Sequence, residues 1–318
     1  MPFEFLHNHP DFDALLRIVA DQKQISPYLV EKDYWIMHCL FGLQEMDLNF
    51  ELKGGTSLSK GFGIINRFSE DIDIRIEPPS ELKVNTNPKA TKANQVAGRK
   101  GYYDWLASNI KINGLESVTR DHEFDDEQHY RSGGVRLRYP VKTDELQGIK
   151  AGVLLEIGFD DVTPNIPKTI SSWAFDFAKD KVDVLDNRAL NVACYHPGYT
   201  FVEKLQTIST KFRKQQEEGT FPVNFMRHYY DIYCLLSVSE VKEFIGTEGY
   251  QAHKNKRFPK ADNQILSENQ AFLLSDDETH RLFESAYQES SSLYYQDQPS
   301  FRDIRERIVS AIQSVEGI

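Results

Sequence analysis

Two aspartates one residue apart, Asp71 and Asp73, close a 20-residue segment that opens with Gly54-Gly55-Thr56-Ser57. Each end of that segment has its own chemistry. Two glycines where a strand ends let the backbone approach a ligand closely, with no Cβ in the way. The N–H groups at the start of a following helix then point at an anion. Thr56 and Ser57 add hydroxyl donors, and Lys60 adds a positive charge one turn further on. The segment therefore reads as a phosphate cradle, the nucleotide-binding part of a site. It is not a Walker A loop, whose Gly-x-x-x-x-Gly-Lys-Ser/Thr spacing is absent. Taken alone, Gly-Gly-Thr-Ser is weak evidence and is more often a structural turn.

On a strand, Asp71 and Asp73 share one face, about 7 Å apart at Cα. Two like charges at that spacing gain nothing structurally, and a divalent cation relieves them; Mg²⁺ (or Mn²⁺) accepts carboxylate and phosphate oxygens together. A solvated strand face is the competing explanation, and the neighbouring cradle argues against it. A third carboxylate, Glu156, stands among Val153, Leu154, Leu155, Ile157 and Phe159. A charge inside such an apolar run is costly unless it is paired or binds a cation. In a two-metal phosphoryl-transfer site it would help hold the second metal and activate the attacking hydroxyl. The alternative is an edge-strand Glu facing water. Further along, Lys204 lies beside the apolar face of a helix with Thr207 and Lys211, and Arg227 and Asp231 are spaced i, i+4 for an ion pair. By themselves these are ordinary helix-surface charges.

Which elements position these groups follows from periodicity. Ser26-Pro27 is an N-cap with a first-turn proline, and Val30, Tyr34, Met37 and Phe41 recur at helical spacing, so a helix covers about 27–44. Leu48, Phe50 and Leu52 alternate as a half-buried strand running into Gly54, and Ile72, Ile74 and Ile76 alternate with Asp71, Asp73 and Arg75 as another. Residues 77–92 read as a mobile loop rich in Pro, Ser, Thr and Asn; strand-like segments follow near 115–124, 133–141 and 150–160. Beyond about 165 the pattern becomes mainly helical, with apolar stripes at Phe201/Leu205/Ile208/Phe212, Met226/Tyr229/Tyr233/Leu236 and Phe301/Ile304/Ile308/Ile312. The expected organisation is an α+β domain over 1–165 followed by a mainly α-helical domain over 166–318, with substrates held in a cleft between them.

Composition sets limits. A chain of 318 residues, 40% hydrophobic, with 20 Phe and 15 Tyr, has ample core material for two modest domains. No apolar run is long enough for a membrane span, and the N-terminus has no signal-peptide pattern, so a cytoplasmic protein is expected. Cys39, Cys194 and Cys234 are widely spaced and read as buried free thiols rather than zinc ligands; His7 and His9 read as surface residues near the terminus. A net charge of −11 excludes a protein that coats nucleic acid non-specifically. Two basic islands stand out against it: Lys83, Lys89, Lys92, Arg99 and Lys100, and His253, Lys254, Lys256, Arg257 and Lys260, the latter with Tyr250 and Phe258 for stacking. They suit an RNA backbone, or are solvated loop charge.

The motifs together resemble the AbiEii/AbiGii-type nucleotidyltransferases, toxins of bacterial abortive-infection and toxin–antitoxin pairs that include the MenT-like enzymes. The likeness lies in Glu31-Lys-Asp-Tyr-Trp35, Lys53-Gly-Gly-Thr-Ser-Leu-Ser-Lys60, Arg67-Phe-Ser-Glu-Asp-Ile-Asp73, Glu203-Lys-Leu205 and Arg227-His-Tyr-Tyr-Asp-Ile-Tyr233. It implies a DNA polymerase β-like nucleotidyltransferase domain, with a mixed or antiparallel sheet and helices, completed by the helical half. It also implies transfer of a nucleotide from an NTP with Mg²⁺: Gly54, Gly55, Thr56, Ser57 and Lys60 around the triphosphate, Asp71 and Asp73 on metal with Glu156, Lys204 on the phosphates, and Asp231 completing the catalytic set. The implied acceptor is tRNA, and the implied partner an antitoxin or transcriptional regulator encoded alongside. Other readings of the same core are a small-molecule nucleotidyltransferase of the antibiotic-modifying kind, a protein nucleotidyltransferase, and an inert binding module.

Overall fold

In a computed structural model of the chain, which describes residues 4–222, 224–291, 294–295 and 298–316, seven strands form one mixed sheet. They are β1 (Phe50–Lys53), β2 (Asp71–Ile76), β3 (Ser117–Asp121), β4 (Ser132–Arg138), β5 (Val153–Gly158), β6 (Asn165–Ile170) and β7 (Ala189–Tyr195), in the order β3-β4-β5-β2-β1-β7-β6. β1 runs antiparallel to β2 and parallel to β7, and β2 runs parallel to β5. The alternation read in β2 sets its two faces. Ile72, Ile74 and Ile76 are fully buried, whereas Asp71, Asp73 and Arg75 are only half-buried on the other face.

Two helices precede the sheet, α1 (Phe12–Lys23) and α2 (Pro27–Glu45). Ser26 caps α2 by accepting the Tyr28 N–H at 3.2 Å, with Pro27 in the first turn. Almost every α2 side chain is buried, including Glu31, Lys32 and Asp33, so this helix is enclosed on all sides. After β1, a short α3 (Gly54–Thr56) continues as a π-helical turn over Ser57–Gly61. α4 (Ala93–Asn109) and α5 (Trp173–Ala178) complete this part of the chain. His7 is half-buried rather than fully on the surface: its ring bonds Tyr34 Oη at 2.9 Å and Asn113 Oδ1 at 3.2 Å, because the N-terminal segment folds back over the aromatic side chains of α2. All three cysteines are free; Cys39 and Cys194 are buried and Cys234 half-buried.

The chain divides into two compact units, Met1–Phe62 with Ser69–Tyr195, and Gly63–Phe68 with His196–Ile318. The sheet-bearing unit thus runs 30 residues beyond the expected boundary at 165, because β6 and β7 extend the sheet. β7 joins it through Glu51↔Ala193 and Leu52↔Cys194, a pairing between distant segments that local periodicity does not announce. The second unit is helical: α6 (Pro197–Glu218), α7 (Arg227–Leu235), α8 (Ser239–Phe244), α9 (Glu248–Arg257), α10 (Gln270–Leu273), α11 (Asp277–Glu289) and α12 (Phe301–Glu316). Its core holds most of the expected stripes, Phe201, Leu205 and Ile208 of α6, Met226, Tyr229 and Leu236 around α7, and Phe301, Ile304, Ile308 and Ile312 of α12. Phe212 and Tyr233 are only half-buried, and Ile232, not expected, is buried in α7. Among the described residues no helix is long and apolar enough to cross a membrane.

Candidate active site

The first unit brings the glycine turn and the carboxylates together. Lys53, the last residue of β1, is the Cα partner of Asp73, so the strand that ends in Gly54 lies directly beside the second aspartate. Gly54 adopts φ +71°, and a Cβ placed there would stand 1.9 Å from Asp73 Oδ2. The Asp73 carboxylate therefore occupies the space that the missing side chain leaves. Thr56 Oγ1 donates to the Asp71 carbonyl oxygen at 2.5 Å, tying the turn to the start of β2. Ser57 Oγ is buried, and among the described residues its side-chain neighbour of polar character is the weakly polar Cys194 thiol. A buried hydroxyl without a conventional partner suits a phosphate oxygen.

Glu156 does not sit on an edge. β5 is an interior strand between β4 and β2, and Glu156 is the Cα partner of Asp73. Neighbouring strands lie about 4.8 Å apart and partners in register point the same way. The two carboxylates thus flank one cavity of about 400 Å³, whose other polar lining includes Lys53, Asp126, Arg131 and Asp160. Asp126 is paired with Arg131 at 2.5 Å. Asp71 faces the same side one pleat earlier, opposite Leu154, and does not line the cavity. Among the described residues no three His, Cys, Asp or Glu side chains converge on one point. The pair Asp73 and Glu156 still fits a Mg²⁺-type ion, which needs only one or two protein carboxylates when substrate phosphates supply the rest. A larger cavity of about 630 Å³ lies at the far end of β1 and β2. Its Glu51 and Glu77 are already paired with Arg75, at 3.2 and 2.8 Å, so it offers the chemistry less.

Lys60 is placed differently from the expectation. Its ammonium lies 2.6 Å from Asp33 Oδ1 and 4.9 Å from the Trp173 ring, with the side chain only 14% exposed. The charge expected on phosphate is committed to α2. The sequence offered one signal for this: three consecutive charges within a helix that is otherwise apolar all round must find partners inside. Burial pushes the Asp33 carboxyl up, against the pull of Lys60, and pushes the Lys32 ammonium down, against Glu70.

The second unit holds the other two expected residues, and they meet. Lys204 Nζ is 2.9 Å from Asp231 Oδ2, and both groups are buried. The partner that sequence reasoning missed is Arg67, whose Nε and Nη2 donate to the two Asp231 oxygens at 2.7 Å each. Among the described residues Arg227 makes no ion pair with Asp231, although its spacing suggested one, and its Nε is buried without a hydrogen-bond partner. A planar guanidinium fork arriving from a distant segment satisfies both carboxylate oxygens at once, with Lys204 on one of them. Burial alone would raise the Asp231 carboxyl, but the charges and hydrogen bonds of Arg67 and Lys204 outweigh it and hold it down at about 2. Asp231 is thus a permanent anion that orients two cations. His228 lies against Lys204 and Lys211, at 3.5 and 3.4 Å; burial and those neighbouring cations keep it neutral, well below the usual histidine range.

The basic islands are smaller than the sequence suggested. Arg99 is fully buried and donates to the carbonyls of Asn85, Asn87, Ala90 and His129, leaving Lys83, Lys89, Lys92 and Lys100 exposed. In the second island His253 and Lys254 are buried, and Tyr250 and Phe258, expected to stack on bases, are core residues at 1% and 5% exposure.

A family model described as nucleotidyl transferase AbiEii toxin, type IV TA system, matches residues 35–307, which run through both units. The chain belongs to the AbiEii nucleotidyltransferase toxin family. It is accordingly a transferase of nucleotidyl groups from an NTP, and a toxin of the toxin–antitoxin class. Among solved structures, the AbiEii-family chain is similar to the MenT4 nucleotidyltransferase toxin from Mycobacterium tuberculosis H37Rv, with a TM-score of 0.60 and 14% identity over 95% of this chain and 90% of that one. At that identity the likeness shows a shared fold. An antigenic nucleotidyltransferase-like protein from Paracoccidioides brasiliensis also aligns, at 14% identity over 87% of this chain and 99% of that one, with a TM-score of only 0.36. A search of curated proteins returned no match.

Proposed function

We propose that this AbiEii-family toxin transfers a nucleoside monophosphate from an NTP to the 3′ end of tRNA, in a divalent-metal-dependent reaction in the cytoplasm, under the restraint of a cognate antitoxin in an abortive-infection system. The observation that carries the proposal is the packing of Asp73 against Gly54, in register with Glu156. It joins a phosphate-binding turn and a pair of carboxylates into one unit. In the reaction the acceptor hydroxyl oxygen bonds to the α-phosphorus, the α–β bridging bond breaks, and pyrophosphate leaves. Phosphoryl-type transfer asks the protein for in-line positioning and charge neutralisation rather than covalent chemistry.

Each residue then has a task. Gly54 and Gly55 let the polyphosphate approach the backbone, and Thr56 and Ser57 offer hydroxyls, Ser57 with the buried Oγ described above. Asp73 and Glu156, with Asp71 adjoining on the same face, would hold Mg²⁺ or Mn²⁺, which would neutralise the charge developing on the phosphate oxygens. Glu156 is the carboxylate assigned to receive the acceptor proton. The family resemblance assigns Lys204 to the phosphates, and Asp231, paired with it at 2.9 Å, is assigned as its anchor. The exposed Lys83, Lys89, Lys92 and Lys100 support a polyanionic acceptor in a chain of net charge −11.

The test is incubation with bulk tRNA, Mg²⁺ and each NTP labelled at the α-phosphate, beside Asp73→Ala. The expected result is label on tRNA that disappears in the variant. Label on the protein itself would move the acceptor to a side-chain hydroxyl. Undiminished label with Asp73→Ala would refute the assignment of the centre.

A further inference from the structure

Three consecutive charged residues in the second turn of α2 are buried, and each reaches a different segment of the first unit. Successive helix residues point about 100° apart. Glu31 accepts the N–H groups of Lys142 and Thr143 at 2.8 and 3.1 Å, and the Thr143 hydroxyl at 2.6 Å. Lys32 Nζ donates to the Lys150 carbonyl at 2.5 Å and lies 3.3 Å from Glu70 Oε2, which also accepts the Lys150 N–H. Asp33 holds Lys60 through Oδ1 at 2.6 Å and accepts the Trp173 N–H through Oδ2 at 2.7 Å. Glu70 immediately precedes Asp71. Lys60 belongs to the π-helical turn that continues from the glycine segment.

We propose that Lys32 and Asp33 are positioning residues for nucleotidyl transfer: their two buried ion pairs set where the Gly54–Ser57 turn lies relative to the Asp71/Asp73 strand. The inference rests on the reading of that turn and strand as the catalytic centre. β1 and β2 are fixed to each other by their hydrogen-bond ladder only as far as Lys53↔Asp73. Beyond the ladder, Thr56 Oγ1 ties the turn to the Asp71 carbonyl; the chain that continues after Thr56 and the residue just before Asp71 are each gripped by one pair from α2. The stretch after Thr56 needs it more, since π-helical turns are rare and locally unfavourable. Stability does not account for the pairs. Burying two charges is offset at best by their attraction, and an apolar pair of similar volume holds two segments together as well. An ion pair adds direction. Asp33 meets both the ammonium and the Trp173 N–H, so it holds Lys60 over the Trp173 ring at one orientation.

The test uses full-length Asp33→Asn, Lys60→Met, the double variant, Lys60→Arg and Glu70→Gln, with Asp73→Ala beside them. Amide hydrogen exchange of the protein alone is read first, then kcat and KM for each α-labelled NTP. The expected result is exchange at residues 55–62 faster by about tenfold or more in Asp33→Asn, Lys60→Met and the double variant, with β4 and β5 unchanged. Glu70→Gln should instead loosen residues 69–72. In the Asp33 and Lys60 variants kcat should fall roughly 10- to 100-fold while KM changes by less than about threefold. The double variant should be no worse than the poorer single, because both remove one interaction. Lys60→Arg should recover part of kcat.

A KM increase confined to Lys60→Met, with Asp33→Asn normal, would make Lys60 a direct phosphate contact and overturn the proposal. So would wild-type exchange and kcat in the double variant, or faster exchange throughout the sheet at unchanged kcat. If either single variant fails to fold, the double, which leaves no buried charge unpaired, carries the test. An active Asp73→Ala would remove the catalytic centre as assigned, whereas the exchange pattern would still report on the clamp.

Discussion

Replacing Gly54 by alanine should abolish most transfer while leaving the fold intact. Two costs arise. At φ +71° an L residue is strained, by roughly 1–2 kcal/mol. The new Cβ would also stand 1.9 Å from Asp73 Oδ2, where contacts under 3.0 Å essentially never occur, so the carboxylate must retreat by about 1.1 Å. Misplacing a reacting group by about 1 Å costs roughly 10²-fold in rate, equivalent to about 2.7 kcal/mol of barrier. Gly63→Ala is the internal control, since Gly63 has φ +64° and an added methyl there would meet nothing within 4 Å. It carries the backbone strain without the clash. Label transfer at saturating NTP, read beside urea unfolding, should show similar stability losses in the two variants and a roughly hundredfold activity loss in Gly54→Ala alone. Full activity in Gly54→Ala, or an equal loss in Gly63→Ala, would refute the idea that the glycine exists to admit Asp73.

Two further outcomes follow from buried charge. Asp231→Asn leaves Arg67 and Lys204 buried without their anion, and should destabilise the chain by about 3–5 kcal/mol in urea unfolding; a loss under about 1 kcal/mol would show that water reaches the cluster. The low Asp231 value means that its contribution is present above the unfolded carboxyl value, and is lost only as pH falls towards about 2. His38 acts higher on the pH scale. Its Nε2 meets the Asn113 carbonyl at 2.9 Å and its Nδ1 the Asn187 amide nitrogen at 2.8 Å, which fits a neutral ring with no place for a second proton. Burial and the neighbouring His7 push it down to about 4, so the unfolded chain binds the proton first. Its contribution to stability should therefore fall between about pH 6.5 and pH 4, by roughly 3 kcal/mol, alongside that of the buried neutral His228, and His38→Gln should reduce the slope by that share; an unchanged slope would place the titration elsewhere.

Legibility in the sequence followed the range of the interaction. The Ser26-Pro27 cap, the alternation of Asp71 and Asp73 with Ile72, Ile74 and Ile76, and the apolar stripes of α6 and α12 are local, and local spacing was enough to read them. The joint presence of the glycine turn and the carboxylates, with the motif order, was likewise enough for the family. Partner choice was not local. Asp231 had Arg227 one helical turn away, yet it is bound by Arg67 from 164 residues away, whose guanidinium meets both of its oxygens. Lys60 stood beside a phosphate turn in sequence but has Asp33 within 2.6 Å in space. Arg99 and Tyr250 looked like surface residues because composition does not say which way a side chain points. The sequence alone determined the residue types and periods that name the chemistry. Tertiary structure decided which opposite charges meet, since a buried ion takes the partner with the best geometry, whatever its distance along the chain.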